Sequence, residues 1–88
     1  MKSRINEDFL STYRQLLREI RELARSNYKL FRDNPRHPSL HFKKLKNTNI
    51  YSVRIGSSYR TLGAMEGDTI VWFWIGSHAD YDRLIEQL

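Results

Sequence analysis

The chain has 88 residues, a length that fits one small domain. Its 15 lysines and arginines outnumber its 10 acidic residues, and the formal net charge of +5 favours a polyanion or an acidic protein as partner. There is no cysteine, which excludes disulfides, thiolate metal sites and a cysteine nucleophile.

The hydropathy pattern indicates neither export nor a membrane. The N-terminus, MKSRINEDFL, lacks the apolar run of a secretory signal. The longest apolar run, residues 70–75, is far shorter than the about 20 residues that span a bilayer. We therefore expect a soluble, cytoplasmic protein.

Residues 5–32 carry apolar side chains at the three- and four-residue spacing of an amphipathic helix. One unbroken helix over this span would be about 40 Å long, which is long for so small a domain. We therefore predict two helices joined by a bend, for which Ser11-Thr12 and Ser26-Asn27 are the candidates. Pro35 ends the helical region, because the residue before a proline avoids the α conformation.

The second half of the chain is predicted to form a sheet. An extended segment over 40–46 precedes strand-like runs at 50–55, 59–65 and 69–75, with Gly-containing turns between the last three. Ser77 can cap a short last helix, since Asp80 follows three residues later. The predicted fold class is α+β: an N-terminal helical region packed on a small antiparallel sheet of three or four strands, then a short C-terminal helix.

Two arginines, Arg54 and Arg60, flank the predicted turn at 56–58. With a three-residue loop they lie opposite each other on one face of the hairpin, about 5 Å apart. A two-residue loop would send them to opposite faces, and the sequence does not decide between the two. In the first geometry the guanidinium groups form a clamp for a phosphate. The alternative is that neighbouring acids neutralise them: Glu66, Asp80 or Asp82.

The stretch from about residue 40 to residue 81 resembles the RelE/ParE superfamily of small bacterial toxins, including its HigB- and YoeB-like members. The matching segments are LHFKKLK, YSVRIGSSYRTLG, an acidic-Gly turn and IVWFWIGSHADY. The spacing from Arg54 to Arg60 and the G-x-H after the last strand are their most specific parts. The family usually opens with a short strand, which we expect this chain to lack because its helical pattern begins almost at once.

The resemblance implies that residues 1–88 form a single toxin domain of a type II toxin–antitoxin system, held inactive by a cognate antitoxin. The first hypothesis is an endoribonuclease that cuts mRNA on the ribosome, with neither a metal nor another cofactor. One alternative is a ParE-like inhibitor of DNA gyrase that performs no chemistry. Another is a degenerate relative that only binds an antitoxin or nucleic acid.

Metal-free RNA cleavage uses the substrate's own 2′-hydroxyl as nucleophile, so the protein must hold the phosphate and move protons. Arg54 and Arg60 suit the phosphate and its transition state. His78 is the best single candidate for a general acid or base, because imidazole titrates near neutral pH. The alternative for His78 is a structural hydrogen bond at a helix terminus.

Further candidates come from the resemblance and from spacing. Like lysines of RelE-type toxins, Lys44 and Lys46 would bind the RNA backbone or transfer protons from one side of the 40–46 strand, with Lys43 facing away. Tyr81 would stack a base or donate a hydrogen bond, or else belong to the core. The predicted catalytic set is Arg60, His78, Lys46 and Tyr81, and the predicted RNA-binding set is Lys44, Arg54 and His41.

Two remaining features are given simpler interpretations. His37 and His41 are four residues apart, but Pro38 lies between them, so no metal site is predicted. Trp72 and Trp74 are expected on one side of their strand, as core residues or as platforms for RNA bases.

Overall fold

The structure is a computed structural model that describes residues 1–88. The elements in chain order are β1 Lys2–Ile5, α1 Glu7–Tyr13, α2 Arg18–Asp33, a 3-10 turn at Pro38–Leu40, β2 Lys43–Lys44, β3 Ile50–Ile55, β4 Tyr59–Glu66, β5 Thr69–Ser77 and α3 His78–Ile85. The sheet has the strand order β1-β5-β4-β3-β2. None of the helices combines the length and the apolar composition required to cross a bilayer.

The α+β class is confirmed, but the sheet is larger than predicted and mixed. Four strands, β2 to β5, form the antiparallel part. The fifth, β1, pairs in parallel with β5 at the edge of the sheet. The expectation that the chain lacks an N-terminal strand is therefore wrong. The strand is hard to recognise in the sequence because Asn6 takes part in both elements. Its backbone N–H donates to the Trp72 carbonyl of β5, and its side chain accepts from Phe9 N and caps α1. Strand and helix are thus separated by one residue.

Two helices replace the long amphipathic stretch, as predicted, but the break lies at residues 14–17 and at neither candidate position. Gln15 N bonds to the Thr12 carbonyl and Leu16 N to the Tyr13 carbonyl, so the first helix tightens into three-residue turns as it ends. Leu17 then turns extended, with ψ of 150°. The Thr12 hydroxyl accepts from Ile75 N, which anchors the end of α1 to β5.

The two N-terminal helices cover one face of the sheet. Phe31 of α2 stacks edge to face on Trp72 of β5, with ring centroids 5.3 Å apart. Val53 and Ile55 of β3 belong to the same buried cluster. Burial of these side chains is what holds α2 on the sheet, since apolar burial is the main favourable term in folding.

Trp72 and Trp74 do not share a side of β5, so that expectation is wrong. The register shifts between neighbouring residues of β4: Leu62 lies opposite Trp74, but Gly63 lies opposite Trp72. Because adjacent strand residues face opposite ways, this bulge leaves Trp72 in the helix-side core and turns Trp74 to the other face.

Candidate nucleic-acid interface

The hairpin between β3 and β4 has the three-residue loop, residues 56–58. Ile55 pairs with Tyr59, and Arg54 lies directly opposite Arg60. Gly56 has a φ of +62°, a left-handed conformation that favours glycine, and a Cβ there would meet Leu23 of α2 at 2.8 Å. The two arginines therefore project together, from the face opposite to the core residues of the same strands.

No acid neutralises this arginine pair. Glu66 contacts Arg4, at 3.9 Å, and Asp82 contacts His78. Asp80 pairs with Arg83, one helical turn along α3. No carboxylate oxygen lies within 4.0 Å of either guanidinium. The alternative in which neighbouring acids pair with the two arginines is therefore wrong.

The surroundings of Arg60 disfavour its positive charge. Burial lowers the pKa of Arg60 from its ordinary value, and the neighbouring charge of Arg54 lowers it further. Tyr81 and Asp82 act in the opposite direction and more weakly. Arg54 Nε is buried and has no hydrogen-bond partner, although buried donors are normally paired. The shift does not remove the charge of Arg60, because a guanidinium stays protonated in proteins at neutral pH. A bound anion would relieve the repulsion and supply an acceptor.

The start of α3 is attached to the same hairpin loop. His78 N donates to the Ser58 carbonyl at 2.8 Å, and Arg60 Nη1 lies 3.5 Å from the Ser57 carbonyl. Ser77 caps the helix, as predicted, by accepting from Asp80 N. The loop thus brings the first residue of α3 and the arginine pair together, although Arg60 and His78 are 18 residues apart in sequence.

Tyr81 lies close to this group but is buried. The residue is only 6% exposed, and its ring centroid is 6.2 Å from that of His78, at a tilt of 60°. It also acts electrostatically on Arg60. A buried ring packs beneath the histidine and offers little surface on which a base could stack.

The lysines are arranged differently from the prediction. The strand predicted over 40–46 is reduced to two residues, in which Lys43 pairs with Ser52 and Lys44 with Tyr51. Ser52 is two residues before Arg54 and shares its face. Lys43, rather than Lys44, therefore lies on the arginine side. The sequence did carry a signal, since Phe42 packs on the helix-side core and alternation puts Lys44 on the same side.

The other two predicted residues lie outside regular strands. Lys46 follows β2 in the turn that Thr48 N closes on the Leu45 carbonyl. His41 ends the 3-10 turn in the left-handed conformation, with φ of 47°. No ion pair or side-chain hydrogen bond links either residue to the arginines or to His78. No group of three or more His, Asp or Glu side chains is placed to hold a metal ion.

The molecule's main apolar cleft is separate from these polar residues. It has a volume of about 450 Å³ and opens between the N-terminal helices and the sheet. Eleven of its 16 lining residues are hydrophobic, among them Val53 and Ile55. Since those two side chains point away from the arginine face, the cleft and the arginine pair are distinct surfaces.

Fold and charge together define a small basic α+β domain. Residues 18–83 match the family model described as the ParE-like toxin domain, which is most of the chain. The chain therefore belongs to the ParE-like toxin family, and the resemblance to the RelE/ParE superfamily is confirmed. No curated protein matches the sequence significantly.

Solved structures share the fold at low sequence identity. A chain of the RelB–RelE antitoxin–toxin complex from Methanococcus jannaschii matches with 22% identity and a TM-score of 0.71, over 90% of this chain and 95% of that one. The YoeB/ParE toxin from Agrobacterium tumefaciens matches with 15% identity and a TM-score of 0.69, over 89% and 99%. YafQ from E. coli strain BL21(DE3) matches with 8% identity and a TM-score of 0.72, over 91% and 96%.

Proposed function

We propose that this protein is the toxin of a type II toxin–antitoxin system and that it cleaves mRNA on the ribosome. The observation that carries the proposal is the arginine pair: Arg54 and Arg60 lie side by side, partly buried, with no acid beside them and with His78 attached to the same loop. Guanidinium forks match phosphate oxygens, so the pair suits an RNA phosphodiester.

The chemistry can be written with the chain, its substrate and solvent water. His78 takes the proton of the 2′-hydroxyl, and the freed oxygen attacks the adjacent phosphorus. The bond from phosphorus to the 5′-oxygen breaks, and that oxygen takes a proton from water. The hydroxide so formed takes the proton that His78 accepted, and the products carry a 2′,3′-cyclic phosphate and a 5′-hydroxyl. Arg60 and Arg54 stabilise the negative charge that builds up on the phosphate oxygens.

The remaining residues serve binding in this scheme. Lys43 extends the positive face along β2 toward the RNA backbone, and Tyr81 supports His78 from beneath. For Lys44, Lys46 and His41 we keep the prediction that they contact the RNA backbone away from the cleaved bond. Acting on ribosomes, the protein would work in the cytoplasm.

We infer a cognate antitoxin as the protein partner, because several chains of the same fold come from RelB–RelE complexes. An acidic or amphipathic segment of that antitoxin would cover the basic face. Gyrase inhibition is the second candidate function, and it is favoured only by the ParE name of the family. A gyrase inhibitor has no use for a proton-transfer group, whereas the backbone of His78 is held by the hairpin loop that separates the two arginines.

The test is inducible expression of the wild-type chain, Arg60→Ala, His78→Ala and the double variant, with mapping of RNA ends in isolated ribosomes. We expect the wild type to stop translation and to leave cut mRNA. Each single variant should lower the cleavage rate about 100-fold or more, the usual cost of removing a charge-stabilising donor or a general base.

Arg4→Ala is the matched control, since Arg4 also projects from a strand of the sheet but is paired with Glu66. It should arrest growth like the wild type. Full toxicity of the Arg60→Ala, His78→Ala double variant would reject the site. DNA breaks that precede the arrest of translation would favour gyrase.

A further inference from the structure

His78 has a partner that the proposed chemistry has not used. Asp82 lies one turn further along α3, and its Oδ2 is 3.0 Å from Nδ1 of His78. The two side chains are about half exposed, 50% for His78 and 54% for Asp82. The carboxylate thus lies against one nitrogen of the imidazole, while part of the ring remains open to solvent.

The carboxylate favours one tautomer of the neutral ring. At 3.0 Å an ionised carboxylate oxygen repels a nitrogen lone pair and attracts an N–H, so the nitrogen beside it, Nδ1, is favoured as the protonated one. Nε2 is then left with its lone pair, which is the form in which it can take a proton. Without Asp82 nothing in the structure would favour this tautomer, because no other side chain forms an ion pair or a hydrogen bond with the ring.

Asp82 contacts His78 and forms no ion pair with Arg54 or Arg60. No carboxylate oxygen lies within 4.0 Å of Arg60 or Arg54. Asp80, the other acid of α3, pairs with Arg83. The groups that contact the histidine are therefore the Asp82 carboxylate, the Tyr81 ring and the Ser58 carbonyl that accepts from its backbone N–H.

We propose that Asp82 is a positioning residue for His78. It fixes the ring so that Nε2 is the nitrogen open to the substrate, and it stabilises the imidazolium that forms once Nε2 has taken the 2′-hydroxyl proton. This inference rests on the proposed ribonuclease function. A half-exposed pair one helical turn apart adds little to stability, so the expected effect is on the reaction and not on the fold.

The experiment compares Asp82→Asn with the wild type in single-turnover cleavage of ribosome-bound mRNA. Asp80→Asn is the matched control, because it removes the other acid of α3 and leaves the backbone N–H that Ser77 caps. We expect Asp82→Asn to slow cleavage about tenfold or more, less than the loss of His78 itself, which is about 10²- to 10⁴-fold for a general base. Asp82→Glu, which can still reach the ring over one turn, should recover part of the rate.

The second readout is the tautomer, measured from two-bond ¹H–¹⁵N correlations of the His78 ring in the ¹⁵N-labelled protein. The wild type and Asp80→Asn should have the proton on Nδ1, and Asp82→Asn should lose this preference while it melts at the wild-type temperature. A merely structural role would leave the tautomer unchanged.

The outcomes separate the two proposals. If the wild type cuts RNA but Asp82→Asn cuts equally fast, or if wild-type His78 carries its proton on Nε2, the positioning role is wrong and the ribonuclease function stands. If the wild type cuts no ribosome-bound RNA, the proposed function fails, and the role of Asp82 fails with it.

Discussion

The sheet carries two pairs of cations that differ in whether an acid lies beside them. On the edge strand β1, Lys2 lies 3.7 Å from Asp68 and Arg4 lies 3.9 Å from Glu66, so each has an acid beside it. On the central hairpin, Arg54 and Arg60 face each other with no acid within 4.0 Å. The first arrangement has its counter-charges within the chain, whereas the second has no carboxylate oxygen within that distance.

The two pairs also differ in burial, which determines how strongly each affects the stability of the fold. The side chains of the edge pairs are 61–77% exposed, and such pairs contribute little because water screens them. The central pair is partly buried, its Arg60 pKa is lowered, and Arg54 Nε lacks a partner. Like charges directly opposite destabilise a strand pair. The fold therefore carries a local cost at this place, which is common at functional sites.

We expect the largest effect from Arg54→Glu. This substitution replaces one arginine of the central pair by an acid, so that Arg60 would face a carboxylate. An opposite-charge pair would replace a repulsive one, so we expect the free energy of unfolding to rise by about 1 kcal/mol. Since the introduced carboxylate would then take the place of the phosphate beside Arg60, RNA cleavage should fall about 100-fold or more. Urea unfolding and ribosome-dependent cleavage measure the two effects on the same preparation.

Arg4→Glu makes the same change of charge on the edge strand and serves as control. It should cleave RNA at the wild-type rate and lose slightly in stability, because the new acid would face Glu66. Equal loss of cleavage in both variants would mean that overall charge, rather than the central pair, carries the activity.

A smaller effect should separate the two neighbouring lysines of β2. Lys43→Ala removes a cation from the arginine face, and Lys44→Ala removes one from the helix face. We expect Lys43→Ala to weaken binding of a short single-stranded RNA several-fold and to reduce the salt slope by about 0.7, the value for one phosphate contact. Lys44→Ala should bind nearly like the wild type. Fluorescence anisotropy at several salt concentrations checks this, and the reverse order would show that RNA follows the other face.

Local patterns in the sequence predict, or narrow to two alternatives, the features that depend on a few neighbouring residues. The loop at 56–58 and the parity of the strands led to the facing arginines as one of two alternatives, and Ser77 was recognised as a cap from its spacing to Asp80. Each of these depends on short-range geometry, in which a residue type and a spacing of a few positions determine the conformation.

Features set by distant contacts were missed. β1 is recognisable only through its pairing with β5, at the far end of the chain, and its four residues run directly into a helical pattern. The break at 14–17 contains neither Gly nor Pro. The bulge that separates Trp72 from Trp74 depends on how β4 and β5 align. For Lys43 and Lys44 a local signal existed in the neighbouring Phe42: it packs against the core, and alternation then puts Lys44 on the helix side and Lys43 on the arginine side.

The most direct test of the arginine pair is an NMR titration of the arginine Nε–Hε signals with a dinucleotide that carries a 2′-deoxy sugar at the cleavage position. Arg54 and Arg60 should shift together, with one shared affinity, while the signal of the ion-paired Arg4 stays in place. If Arg4 shifts as much as the pair, or if Arg54 and Arg60 do not respond at all, the hairpin does not form a phosphate site.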